Sequence, residues 1–242
     1  MELLITGIAG VSILVGAFAT RIMKDAEKME HISMAAALGA LVALLLFDLF
    51  PEIRELIEIQ GIGYSLGMVA VGIVMLKVLD LFIPDHNDTE ENHDHENAAH
   101  IGIISSMAVI LHNIVEGMSV YSIALTSVSA GISFAIGIAM HNIPMGMLID
   151  STLEERKKSE RYVLLATVPL STLFGGILMQ SISEYLTEVL TLTLVAIASG
   201  MILFIVLTEL LPHVFRTKYH ISLSIASVVA GFVLVCISTF AA

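Results

Sequence analysis

The chain has 242 residues, 57% hydrophobic and only 14% charged, with a mean hydropathy of +0.91 and a net charge of −12. A soluble domain carries about 25% charged residues, so this composition excludes an ordinary soluble globule and points to lipid as the solvent. The acidic balance argues against nucleic acid as a partner.

A membrane-crossing helix needs about 20 consecutive, mostly apolar residues. Such runs are predicted at 3–20, 32–50, 62–83, 99–125, 128–149, 162–180, 189–211 and 220–241. The first resembles a signal peptide only superficially. Glu2 is the only charge before its apolar stretch, and Arg21 and Lys24 follow it, so it is expected to be a true span. Little chain remains between the runs. Residues 1–242 are therefore expected to form a single all-α transmembrane domain, a polytopic bundle of eight helices. Cys236 is the only cysteine, so no intrachain disulfide is available.

Lys and Arg concentrate on the cytoplasmic side of membrane proteins. Arg21, Lys24 and Lys28 fall in the 1–2 connection, Lys77 near the 3–4 end of helix 3, Arg156, Lys157, Lys158 and Arg161 in the 5–6 connection, and Arg216 and Lys218 in the 7–8 connection. All lie on one side; Arg54, in the 2–3 connection, lies opposite. The expected arrangement is a multi-pass cell-membrane protein with both termini extracytoplasmic.

Helix 2 is expected to end in Asp48-Leu49-Phe50-Pro51-Glu52, and helix 7 in Glu209-Leu210-Leu211-Pro212-His213. Between helices 3 and 4 lies an acidic segment at 84–98, with His86, His93 and His95 and with His100 just beyond it. It is read as a solvated, disordered cytoplasmic arm: a weak metal-binding or regulatory loop, or a plain acidic linker. Lys77 and Asp80 are one turn apart and could pair. Asp48, Glu52 and Glu209 are open between ordinary helix-end charges and a cation entrance or exit.

The central feature is a repeated motif. Helix 4 carries His112-Asn113-Ile114-Val115-Glu116-Gly117 and helix 5 carries His141-Asn142-Ile143-Pro144-Met145-Gly146. The two helices run in opposite directions, as do helices 2 and 7, which suggests an inverted-topology repeat, a construction that places transport sites near the membrane midplane. His112 lies about 20 Å from the inner end of its helix at 1.5 Å per residue, near the middle of a core about 30 Å thick. Ionisable groups at that depth are costly and face a pathway or a partner. His112 and Glu116 share a helix face, as do His141 and Met145. Imidazole, carboxylate and thioether together suit a borderline divalent metal such as Zn²⁺ and suit Mg²⁺ or Ca²⁺ poorly. Asn113 and Asn142 could offer amide oxygens or bridge helices. Met145 could be a soft ligand or an apolar filler. Pro144 should free the carbonyl of Met140, and Gly117 and Gly146 would allow close helix approach.

With these motifs the sequence resembles the ZIP (Zrt/Irt-like) family of metal transporters, in its bacterial zinc-transporter branch, along the whole chain. The resemblance implies a ZIP-like inverted-repeat bundle, metal influx toward the cytoplasm, a binuclear site between helices 4 and 5, and a homodimer. It assigns His112, Asn113 and Glu116, with His141 and Asn142, as metal ligands. Three positions depart from the family pattern. Val115 stands for a proline in helix 4, Met145 for a bridging glutamate in helix 5, and Val168, in Val168-Pro169-Leu170-Ser171, for a glutamate in helix 6. With two carboxylates gone there is less charge to balance two dications, so a single-metal site of His112, Glu116, His141 and, if it points inward, Met145 is expected.

The expected function is transport of a divalent metal, with Zn²⁺ as cargo and Fe²⁺, Mn²⁺ or Cd²⁺ left open; the partners are that ion and the lipid bilayer, and no organic cofactor is expected. The alternative is a non-transporting metal-binding membrane protein, a sensor or partner subunit. An enzyme is not expected. His112-x-x-x-Glu116 lacks the ligand order and general base of a helical metalloprotease motif, and no phosphate-binding G-x-x-x-x-G-K-[ST] pattern supports ATP-driven pumping.

Overall fold

The structure is a computed structural model that describes residues 1–22, 25–81, 93–154, 157–182, 187–216 and 219–241. Its long helices are α1 (Glu2–Ala19, continued by a 3-10 turn Thr20–Ile22), α2 (Ala26–Gln60), α3 (Ile62–Asp80), α4 (His93–Thr126), α5 (Val128–Thr152), α6 (Lys158–Ile182), α7 (Glu188–Phe215) and α8 (Ile221–Ala241). Seven are long and apolar enough to cross a membrane. The eighth, α8, has 21 residues. The chain is thus an all-α polytopic membrane bundle. On α1 one face exposes Leu4, Ile8, Val11, Val15 and Phe18 while Ile5, Ala9 and Ile13 are buried. In a lipid solvent that exposed apolar stripe is the comfortable one.

Three boundaries differ from expectation. Helix α2 does not end at Pro51. It starts at Ala26, capped by the Asp25 carboxylate accepting from Lys28 N (3.1 Å), and runs on to Gln60. A π turn at Leu45–Leu49 places Phe50 N–H on the Leu45 carbonyl, five residues back. The wider turn absorbs the missing N–H and the ring of Pro51, which would break a regular helix. Helix α7 does the same. Its π turn at Ile205–Leu210 precedes Pro212, and the helix continues to Phe215. The 2–3 connection therefore shrinks to Gly61, whose φ of +85° a residue with a side chain rarely adopts. Arg54 lies within α2, beside Glu58 at 3.3 Å.

Helix α4 also begins early, at His93, so residues 93–98 of the expected loop are helical. The remainder, 84–92 with His86, lies outside the described residues, as do Lys24, Arg156 and Lys218. Asp80 pairs not with Lys77 but with His100 across the α3–α4 gap, at 2.7 Å.

Packing repeats the sequence symmetry and extends it. The helices assort into pairs α1–α5, α4–α6, α2–α8 and α3–α7, the most extensive contacts in the molecule. Each pair is closed by two reciprocal glycines whose missing Cβ would overlap a backbone carbonyl: Gly16 and Gly146, Gly117 and Gly175, Gly39 and Gly231, Gly72 and Gly200. Van der Waals contact between close backbones holds membrane helices together where lipid removes the hydrophobic drive. Gly39 stands twelve residues before Pro51, and Gly200 twelve before Pro212. Helices α1, α2 and α3 thus correspond to α6, α7 and α8, and α4 corresponds to α5. Helices α1, α4, α5 and α6 form one block, and α2, α3, α7 and α8 form another.

Candidate metal centre

His112, Glu116 and His141 meet in the interior, all from the first block. One turn of α4 brings His112 Nε2 to 3.1 Å from Glu116 Oε1, and α5 brings His141 Nε2 to 2.9 Å from the same oxygen. The imidazole centroids are 6.1 Å apart, and the three residues are at most 9% exposed. One ligand atom from each falls within 4.8 Å of the others, the only such group among the described residues. These approaches lack hydrogen-bond alignment: His112 Nε2, His141 Nε2 and Glu116 Oε2 are buried without a hydrogen-bond partner. Buried polar atoms are almost always paired, so two unsatisfied imidazole nitrogens meeting on one buried carboxylate make this cluster a candidate cation site. A tetrahedral zinc with ligands at about 2.0–2.2 Å holds neighbouring ligand atoms roughly 3.3–3.6 Å apart. The two His–Glu separations, 3.1 and 2.9 Å, fall a few tenths of an ångström short of that spacing.

Both asparagines donate across to a neighbouring helix. Asn113 Nδ2 donates to the Val168 carbonyl of α6 (3.4 Å), and Asn142 Nδ2 to the Ala9 carbonyl of α1 (3.2 Å). Val168 stands seven residues before Gly175 and Ala9 seven before Gly16, so the two bonds are equivalent under the repeat. Each ties its motif to the partner helix and fixes the rotation that turns the preceding histidine inward. Asn113 Oδ1 is buried and without a hydrogen-bond partner. Met145 is 2% exposed in the main apolar core.

A cavity of about 370 Å³ reaches the three-residue cluster from the side where α4 ends and α5 begins. Among its lining residues are Asp48 and Glu52 of α2, Val115, Ser119, Phe134, Ile138, His112, Glu116 and His141, but not Met145, Asn113 or Asn142. Asp48 sits in the π turn, where the extra residue per turn re-aims the α2 side chains. Of the two readings open for Asp48 and Glu52, the cavity favours the entrance. The opposite side of the cluster is closed by Ser105, Ala108, Val109, Met145 and Leu148, each at most 3% exposed.

One buried charge cluster escaped the sequence reading. Asp150, at the end of α5 and fully buried, accepts at Oδ1 from Nε of Arg161 on α6 (2.8 Å) and at Oδ2 from the Thr20 hydroxyl at the end of α1 (2.5 Å), and its Oδ2 is ion-paired with Arg161 Nη2 at 2.6 Å. The available signal was an aspartate inside an apolar run, followed closely by four basic residues.

A membrane bundle of inverted repeats with a buried His-Glu-His cluster at the base of a cavity has the build of an ion-translocating protein. The family model described as ZIP zinc transporter matches residues 82–239, and the chain belongs to that family: it is a divalent metal ion transporter. Proteins described as zinc transporter ZupT are similar along almost the whole length. That of Clostridium perfringens is 27% identical over 98% of this chain and 94% of its own. That of Chlorobaculum parvum is 24% identical over 97% and 94%, and that of Streptococcus mutans 24% over 97% and 95%.

Proposed function

We propose that this protein takes up Zn²⁺ toward the cytoplasm, one ion at a time, through a site made by His112, Glu116 and His141. The observation that carries this reading is the meeting of two unsatisfied imidazole nitrogens on one buried carboxylate at the base of a cavity. Two neutral imidazoles and one carboxylate leave a bound dication with a net charge of about +1. Among the described residues, a second dication beside it would find no further His, Cys, Asp or Glu within the cluster, and uncompensated charge at such depth is expensive. Asp48 and Glu52 concentrate cations in the vestibule before they shed water. The one-sided distribution of basic residues supports a vestibule outside and extracytoplasmic termini.

The test is Zn²⁺ uptake into proteoliposomes, with stoichiometry measured by titration of the purified protein. Uptake above empty liposomes, lost in His112→Ala and Glu116→Ala, with one tight ion per chain, is the expected result. Absence of flux for Zn²⁺, Fe²⁺, Mn²⁺ and Cd²⁺ alike overturns transport through this site, and two tight ions per chain overturn the single-ion centre.

A further inference from the structure

The repeat relates the residues of the outer cavity to residues on the inner side of the cluster. On α2 and α7 the shift is 161 residues, carrying Pro51 to Pro212 and the first π turn onto the second. On α4 and α5 it is 29, carrying His112 to His141. Asp48 then maps to Glu209, Glu52 to His213, Glu116 to Met145 and Phe134 to Ser105. The outer set lines the cavity, while Ser105 and Met145 are buried at 0% and 2%. Ser105 is not a natural part of a sealed apolar core. Its hydroxyl is buried without a hydrogen-bond partner, a cost that a segment wetted only in another conformation explains.

We infer that Met145 and His213 line the inner half of the ion path and select which dications leave through it. This rests on the transport reading above. The outer half presents three carboxylates, Asp48, Glu52 and Glu116, which accept hard and borderline dications alike. Under the repeat, the inner half keeps only Glu209, and the other two carboxylates become a thioether and an imidazole. Sulfur and imidazole nitrogen hold Zn²⁺ and Cd²⁺ well and are poor substitutes for oxygen toward Mn²⁺ or Mg²⁺. A hard ion that enters therefore meets a step at which exchanging oxygen for sulfur is unfavourable, whereas Zn²⁺ makes the same exchange at little cost. Selectivity is placed at exit, while the vestibule remains permissive.

Two readouts test this. With Cys236→Ser as background, Ser105→Cys is labelled by an impermeant thiol reagent applied to one membrane face at a time. Labelling from the inner face during turnover is expected; labelling from the outer face alone, or from neither, overturns the placement. This readout needs no measured flux, so failure of zinc transport and failure of the inner path are told apart. In competition uptake, Met145→Leu and His213→Asn should each lower the Zn²⁺-to-Mn²⁺ ratio by about fivefold or more, and Met145→Glu should raise Mn²⁺ uptake. A ratio within about twofold of the unsubstituted protein in all three variants, with zinc uptake retained in at least one of them, overturns the selectivity role.

Discussion

The Asp150–Arg161–Thr20 clamp makes a quantitative demand. Asp150 is completely buried and Arg161 is 16% exposed at its side chain. Charges at such sites are tolerated because they pair, and the pair gains little over an apolar substitute of the same volume. Removing one partner is different. Arg161→Met leaves a carboxylate with only the Thr20 hydroxyl, and breaking a buried pair in this way costs about 3–5 kcal/mol. For a chain of this size each kcal/mol moves the melting temperature by about 2–4 °C, so a fall of roughly 6–20 °C is expected. Asp150→Asn keeps an acceptor for Arg161 and should cost about 1–3 kcal/mol. The double variant Asp150→Leu with Arg161→Met removes both charges and should recover most of the loss. Thermal unfolding of the detergent-purified variants, arranged as a double-mutant cycle, reads these differences directly. An unchanged melting temperature in Arg161→Met, or a double variant no better than the worse single one, would refute the assignment of this pair as a buried, mutually dependent unit.

Other consequences can be measured alongside. Glu116→Gln removes the only carboxylate of the cluster while keeping its shape, and should weaken Zn²⁺ binding at least tenfold by calorimetric titration, on the order of the 1.4 kcal/mol that a tenfold change represents. Asp48→Asn with Glu52→Gln should raise the KM for Zn²⁺ and flatten its dependence on ionic strength while leaving Vmax near its original value; an unchanged KM would remove these residues from the entrance. Gly39→Ala drives a methyl group into the Val228 carbonyl and should destabilise by about 1–3 kcal/mol. Gly67→Ala meets nothing within 4 Å and should gain about 0.5–1 kcal/mol of helix propensity instead; equal effects at the two positions in a thermal melt would contradict the close α2–α8 contact.

Much of the site was legible before any coordinates. The repeated His-Asn motif lies at matched depth in oppositely directed helices. His112 and Glu116 had to share a face because α-helical geometry allows nothing else at a spacing of four. Composition alone required a membrane bundle. The helix ends were less legible. Pro51 and Pro212 look like terminators, since local rules disfavour proline inside a helix. Each instead follows a π turn, and the sequence around it carries no mark of that turn.

Roles depended still more on assembly. Glu116 and Met145 occupy equivalent motif positions, so spacing treats them alike. Only the packed bundle puts one on the cavity wall and the other in the closed core. Asn113 and Asn142 read equally well as ligands or as ties, and a carbonyl on a helix 55 or 133 residues away decides that their N–H groups are ties. Asp150 found its partners the same way, on two other helices. The chain by itself determined its solvent, its span pattern and the chemical identity of its candidate ligands, because these follow from composition and helical periodicity. Which side of the centre is open, which carboxylate oxygen the two imidazoles approach and which charges are paired are properties of contacts between distant segments, and only the tertiary structure decided them.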